Sequence, residues 1–141
     1  MSKPTETNNG LLPYLEVKYL RAQIPAKIIN KGLYLPNNSN VILVDGENSG
    51  EVFNTKENGY MGSTFMQLII SKHVNHSYIK FFIASKKELL KNNKKGSAIP
   101  HLNKEIFNNL EIYLPPIMEQ NKIVKTLNNI INSLNNIKTE L

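Results

Sequence analysis

The chain has 141 residues, of which 40% are hydrophobic and 20% charged, and its 17 basic against 11 acidic side chains give a formal charge of +6. This length fits one compact domain. No apolar run approaches the roughly 20 residues of a membrane span, no cysteine is present, and the first residues lack the features of a signal peptide. The sequence therefore predicts a soluble, cytoplasmic protein with no membrane partner, and its charge favours an acidic partner such as nucleic acid.

The amino-terminal half is predicted to form short strands. Residues 1–10 are polar and contain a proline, which indicates a flexible arm. The continuous apolar run 41–44 ends at an Asp-Gly turn, and residues 50–53 follow it as a second, antiparallel strand. Residues 63–70 are rich in β-branched and aromatic side chains and predict a further strand.

The next part of the chain is predicted to be mainly helical. Apolar residues between Ser77 and Lys91 recur at spacings near three and four, which predicts one amphipathic helix. Asn103 is a candidate amino-terminal cap for a short helix that ends at Leu110, and residues 111–114 predict a last strand before two prolines. The sequence thus predicts an α+β fold with a small mixed or antiparallel sheet and short helices.

The most regular segment comes last, at residues 115–141. Six apolar residues alternate there at spacings of four and three, as in the seam of a coiled coil: Ile123, Leu127, Ile130, Leu134, Ile137 and Leu141. A helix over Pro116 to Leu141 would be roughly 38 Å long. It could lie on its own domain or dock on a second helix from another copy or another protein. The strict seam favours docking, so a coiled-coil dimerisation and spacer helix is predicted.

Most signatures of catalysis are missing from the sequence. Asp45 is the only aspartate, so the clustered carboxylates of a metal-dependent nuclease are lacking, and Glu16 and Lys18 are better explained as a surface ion pair. Asp45 with Glu47 and Glu51 could bind a cation, but the Asp-Gly turn explains Asp45 without a metal. The three histidines have no metal-ligand spacing, and the glycines form no phosphate-binding loop. The sequence therefore predicts no catalytic residue, metal site or cofactor, and a small nuclease is disfavoured.

Several segments resemble a target-recognition domain of a type I restriction-modification specificity subunit. That family closes each recognition domain with a Gly-Ser loop, a strand ending in Leu-Pro-Pro, then Glu-Gln and a long conserved helix. The segments that carry the resemblance are Gly96–Leu102, Leu110–Gln120 with Ile123-Val124, and, upstream, Pro13–Leu15, Val41–Gly50 and Gly59–Thr64. The Pro-Pro-x-x-Glu-Gln segment joined to the heptad helix is the most specific of them.

This resemblance implies a DNA target-recognition domain at residues 11–114, followed by the spacer helix. Such subunits usually carry two recognition domains and two helices, so the chain resembles a half-subunit that pairs through its helix, as a homodimer or with another specificity half. A specificity subunit is not catalytic. It binds double-stranded DNA and docks the methyltransferase subunits, which methylate adenine with S-adenosylmethionine, and through them the ATP-dependent restriction and translocase subunit. None of these cofactors is expected to bind this chain.

The alternative is a truncated specificity-subunit remnant, or a coiled-coil interaction module, that no longer reads DNA. If DNA is bound, the contacts are expected on loops, where lysines meet phosphates and amide or hydroxyl groups reach base edges. For each lysine the competing interpretation is an ordinary solvated helix end. The candidate DNA-binding residues are Asn48, Ser63, Thr64, Lys72, Lys91, Asn93, Lys94, Lys95, Ser97 and His101.

Overall fold

The structure is a computed structural model, in which residues 4–96 and 98–140 are described. These residues form short strands and one short helix in the first half of the chain and mainly helices in the second. The strands are β1 (Leu12–Leu15), β2 (Ile28–Ile29), β3 (Tyr34–Leu35), β4 (Asn40–Leu43), β5 (Val52–Asn54), β6 (Gly59–Met61) and β7 (Phe65–Leu68). The helices are α1 (Val17–Leu20), α2 (His76–Ser85), α3 (Lys87–Asn92), α4 (Lys104–Asn108) and α5 (Ile117–Glu140).

The described strands form two small sheets. The first has the order β2-β1-β6-β3 and is mixed, because β1 pairs parallel with β6 while the other pairs are antiparallel. The second has the order β5-β4-β7 and is antiparallel throughout. The fold class predicted from the sequence, α+β with a small mixed or antiparallel sheet, is confirmed, although the described strands form two sheets where one was predicted.

The central strand β4 is apolar along most of its length because both of its faces are buried. Side chains alternate across a strand, so Val41 and Leu43 point to one side and Ile42 to the other. The first side joins a core that includes Leu15 and Phe65. Ile42 instead packs into a core formed with the helices; its other buried members are Val52, Ile83, Leu90 and Leu102. The strand predicted at residues 41–44 is present as Asn40–Leu43, one residue earlier, and it separates the two cores.

The predicted strands on either side of β4 are present but shorter. The strand predicted from residue 50 begins at Val52, because Gly50 has a φ of +102° and belongs to the preceding turn. The strand predicted over residues 63–70 is limited to Phe65–Leu68, the part that pairs with β4.

The helix predicted between Ser77 and Lys91 is divided at Lys86 into α2 and α3. The Lys86 amide donates to the carbonyl of Ile83, three residues back, which tightens the chain at the break. The apolar periodicity nevertheless survives, because Ile83 and Leu90 both reach the same core. Asn103 caps α4 as predicted, since its side chain accepts a 3.2 Å hydrogen bond from the Ile106 amide.

The strand predicted at residues 111–114 is wrong. These residues have no ladder partner among the described strands. The carbonyl of Tyr113 instead accepts a 2.8 Å hydrogen bond from the Tyr78 hydroxyl, which ties the segment to α2. The next two residues are prolines, which have no amide hydrogen with which to continue a ladder.

Helix α5 begins on the domain and then projects from it. Gln120 and Val124 are buried near its start, where α5 packs against α2. From residue 128 to residue 139 every side chain is exposed. Of the two arrangements considered for this helix, contact with its own domain holds only for the first turns. Among the described residues, no helix combines the length and apolarity needed to cross a lipid bilayer.

Candidate nucleic-acid interface

A cleft of about 1000 Å³ lies between the β4–β5 loop (residues 44–51) and the helices α2 and α3. The described residues that line it include five cationic side chains and two carboxylates. The cations are Arg21, Lys80, Lys87, Lys91 and Lys94, and the carboxylates are Glu47 and Glu51. The cleft therefore has a net positive lining, the electrostatic character expected of a surface that binds a polyanion.

The β4–β5 loop is compact because two glycines allow it to turn sharply. Gly46 and Gly50 have φ angles of +96° and +102°, a backbone conformation that residues with a Cβ rarely adopt. The Gly50 amide donates to the Leu43 carbonyl at 2.7 Å, which folds the loop back onto the end of β4. As a result, Glu47 and Asn48 stand at the tip beside the cleft.

The α3–α4 loop (residues 93–103) is attached to the same end of β4. Lys95 and His101 form an antiparallel bridge, with amide-to-carbonyl distances of 3.0 and 2.7 Å. The Gly46 amide donates to the Pro100 carbonyl at 2.8 Å, and the imidazole Nδ1 of His101 lies 2.7 Å from Oδ1 of Asp45. These contacts fix the two loops relative to each other. Ser97, a candidate in this loop, lies outside the described residues.

Lys94 connects the two loops. Its ammonium group donates to the backbone carbonyl of Glu47. The pKa of Lys94 is lowered, mainly because burial disfavours its charged form and secondarily because Lys91 is nearby, while Glu47 acts in the opposite direction. A lysine whose charge is partly desolvated beside another lysine gains from an approaching anion.

The structure brings most of the predicted DNA-binding residues to one end of the molecule. Asn48, Lys91 and Lys94 line the cleft, and Lys95 and His101 flank it through their bridge. The amide of Asn93 is already used, because its side chain donates a 2.8 Å hydrogen bond to the carbonyl of Leu89 at the end of α3.

The remaining candidates lie at either end of β7. Thr64 accepts a 2.8 Å hydrogen bond from the Val44 amide through its carbonyl, so it and Ser63 lie at the same end of the sheet as the β4–β5 loop. Lys72 follows the other end of β7, where Leu68 pairs with Asn40. It is therefore separated from the cleft by the length of the strand, and the single basic strip predicted from the sequence does not extend to it.

Three cleft cations were not among the sequence candidates. Two of them are Lys80 and Lys87, which lie seven residues apart; Lys91 and Lys94 follow at spacings of four and three, so a helical face could have been recognised from the sequence. The third, Arg21, lies outside this helical pattern and could not be recognised from the sequence. It forms an ion pair with Glu51, a contact that only the fold creates, and its guanidinium lies 5.8 Å from the centre of an aromatic ring, that of Phe53.

The seam residues of α5 divide according to their position along the helix. Ile123 and Leu127 are half-buried near the domain. Ile130, Leu134 and Ile137 are 50, 54 and 53% exposed on the projecting part. Leu141 lies outside the described residues. Within the described ranges, no group of three histidine, aspartate or glutamate side chains is arranged to hold a metal ion.

Comparison with known proteins shows which family this chain belongs to. The family model described as the type I restriction modification DNA specificity domain matches residues 1–141. A curated relative, the type I restriction enzyme MjaVIII specificity subunit of Methanocaldococcus jannaschii, is 36% identical over 140 residues, and the match covers 96% of this chain and 33% of the relative. The chain thus spans about a third of the length of the curated relative that it matches.

Two solved structures share the fold. The HsdS subunit from Thermoanaerobacter tengcongensis superposes with a TM-score of 0.71 at 19% identity, over 99% of this chain and 35% of that one. A chain from a structure described as the basis of complex assembly and conformational transition of the type I R-M system also gives 0.71, at 18% identity, over 99% and 36%. The likeness confirms the predicted fold class. Because the family model spans every residue and the curated relative matches almost all of them, the chain belongs to the family of type I restriction modification DNA specificity domains.

Proposed function

We propose that this chain is a non-catalytic DNA-recognition component of a type I restriction-modification system and that it binds duplex DNA at the cleft. The observation that carries this proposal is the meeting of two loops at the cationic cleft. One loop presents the amide of Asn48, and the other presents Lys94, Lys95 and His101. Membership of the family supports DNA as the ligand, and the net positive lining of the cleft supports this surface as the interface.

The two kinds of side chain at the cleft would have different tasks. Lysines neutralise phosphates whatever the sequence, and each such interaction contributes to the salt dependence of binding. Amide, hydroxyl and imidazole groups discriminate between base edges, and the proposal gives this task to the candidates at this end of the sheet: Asn48, Ser63, Thr64 and His101. Asn93 is a weaker candidate because its amide caps α3.

The proposal extends to the partners. A recognition component directs a methyltransferase subunit, and through it a restriction and translocase subunit, within the prokaryotic cytoplasm. Pairing of two such chains through α5 is supported by the apolar side chains on its projecting part, among them Ile130, Leu134 and Ile137. The same exposed face is also what an interaction module that no longer reads DNA would present, and this is the second candidate function.

Fluorescence anisotropy on a labelled duplex separates the two candidates. If the cleft binds DNA, replacing Lys91, Lys94 and Lys95 with alanine flattens the plot of log affinity against log salt by about 0.9 for each phosphate that is no longer neutralised. The matched control replaces Lys27, Lys56 and Lys104, none of which lines the cleft, and retains the parent slope. Failure of the parent protein to bind any duplex, with or without a methyltransferase subunit, would favour the interaction module.

A further inference from the structure

The wall of the cleft formed by α2 and α3 presents a regular pattern of apolar residues and lysines. The residues of α2 and α3 that line it, with Lys94 just beyond, recur at helical spacing, and apart from Ala84 they divide into two groups. Ile83 and Leu90 are 5 and 2% exposed and anchor the wall in the core. Four lysines follow the rim beside them and are here called the lysine stripe: Lys80, Lys87, Lys91 and Lys94. The break at Lys86 does not interrupt this face.

The first three lysines of the stripe have no anionic partner within the described structure. The ion pairs found there join Arg21 to Glu51, Lys31 to Glu6 and His101 to Asp45. Lys86, which lies between the stripe lysines in sequence, is placed 5.6 Å from the centre of the Phe82 ring. The ammonium groups of Lys80, Lys87 and Lys91 therefore add charge to the rim that no described carboxylate neutralises.

The opposite wall contains a second, independent feature that points to a ligand, a buried hydroxyl without a hydrogen-bond partner in the described structure. Ser49 lies in the β4–β5 loop and lines the cleft, yet the residue is only 7% exposed. Its hydroxyl is buried and has no hydrogen-bond partner among the described residues. A buried hydroxyl without a partner is costly, and such groups are rare in native proteins, where an ordered water, an ion or a ligand atom is among the explanations. A serine hydroxyl changes its direction by rotation about the Cα–Cβ bond.

We propose that the lysine stripe and the Ser49 hydroxyl together bind the sugar-phosphate backbone of one DNA strand, which lies along α2 and α3. This inference rests on the proposed function and adds Lys80, Lys87 and Ser49 to the interface. In this arrangement the helical wall positions the duplex without regard to sequence. The β4–β5 loop, with Asn48 at its tip, then faces the base edges from the other side of the cleft.

The test compares two charge-matched double variants of the full chain in the anisotropy assay. Lys80→Gln with Lys87→Gln removes two stripe cations, and Lys27→Gln with Lys104→Gln removes two exposed cations that do not line the cleft. The stripe variant should lower the salt slope by about 0.9 per lysine on cognate and scrambled duplexes alike, while the control keeps the parent slope. Equal slopes for the two variants, with the parent still binding DNA, would overturn the inference but not the proposed function. No DNA binding by the parent would overturn both.

Ser49→Ala tests the hydroxyl separately. Removal of a charge-assisted hydrogen bond to a phosphate should weaken duplex binding about tenfold. The melting temperature should stay the same or rise, because the variant also removes a buried polar group that has no partner in the unbound protein. A variant with parent affinity would exclude Ser49 from the interface, and a variant that loses affinity only together with melting temperature would show that the side chain is structural.

Discussion

The imidazole Nδ1 of His101 lies 2.7 Å from Oδ1 of Asp45, and this contact joins two loops that are 56 residues apart in the chain. The backbone on either side reinforces it, since Gly46 donates to the Pro100 carbonyl and Leu102 donates to the Val44 carbonyl, both at 2.8 Å. The α3–α4 loop is thus held against the end of β4. The position of Lys94 and Lys95 depends on this attachment.

Asp45→Ala should loosen the α3–α4 loop without unfolding the domain. Both side chains of the pair are partly exposed, at 51% for His101 and 38% for Asp45, so solvent screens their interaction and its removal should cost no more than about 1 kcal/mol of stability. Amide hydrogen exchange should nevertheless accelerate at Lys95 and His101, the two partners of the backbone bridge. Parent exchange rates at these amides would show that the backbone hydrogen bonds alone hold the loop.

Gly50→Ala should destabilise the protein more than Gly46→Ala. Both glycines have positive φ, so an added Cβ is strained at either position by about 1 kcal/mol. Only at Gly50 would the new Cβ also approach a core atom, Cδ1 of Leu90 at 3.3 Å; at Gly46 nothing lies within 4 Å. Urea denaturation of the two variants measures the difference. Equal reductions of stability would mean that Leu90 adjusts without cost.

Gln120→Ala should detach the base of α5 from the domain. This side chain is 3% exposed, donates to the Pro115 carbonyl at 2.8 Å and accepts from the Asn75 amide at 3.0 Å. Its removal leaves two backbone groups without a partner, which should cost about 2 to 4 kcal/mol. The control is Asn121→Ala, where the side-chain hydrogen bond that disappears is exposed and the cost should stay within about 0.5 kcal/mol. Thermal denaturation distinguishes these two values, and similar melting temperatures would contradict the structural role of Gln120.

Leu134→Asp combined with Ile137→Asp should convert a paired protein into monomers. Both side chains are about half exposed on the part of α5 that projects beyond the domain, so the substitutions place charge on the apolar face without disturbing the core. The control Asn136→Asp adds charge to the same turn, outside the seam. Sedimentation measures the mass of each variant. A dimer that persists in the double variant would locate the pairing surface elsewhere.

Elements that depend on local pattern could be predicted from the sequence. The apolar run of β4, the Asn103 cap and the helical periodicity of α5 each carry their own signal, and the corresponding strand, cap and helix are present in the structure. Residues 111–114 have the local pattern of a strand but lie beside no sheet edge among the described strands. Whether a segment meets a sheet edge depends on the tertiary arrangement, so the local pattern alone could not decide it.

The candidate site was predictable to a lesser degree. Lys91, Lys94 and Lys95 are close together in sequence and are predicted as a cluster, and Lys80 and Lys87 lie at helical spacing from them, whereas Arg21 reaches the cleft only through the packing of the fold. The same holds for the pairing of His101 with Asp45. The Glu-Gln pair after the two prolines has a structural role, because the side chain of Gln120 ties α5 to the domain.

The most direct test of the central claim is methylome sequencing of the host with and without the gene for this chain. If the chain specifies a DNA target, its deletion removes adenine methylation from one bipartite motif, and restoring the parent gene returns that motif. A gene that encodes Asn48→Ala should return it with relaxed specificity, because a base interaction is worth roughly 1–3 kcal/mol of discrimination. An identical set of methylated motifs with and without the gene would contradict the assignment of DNA recognition to this chain.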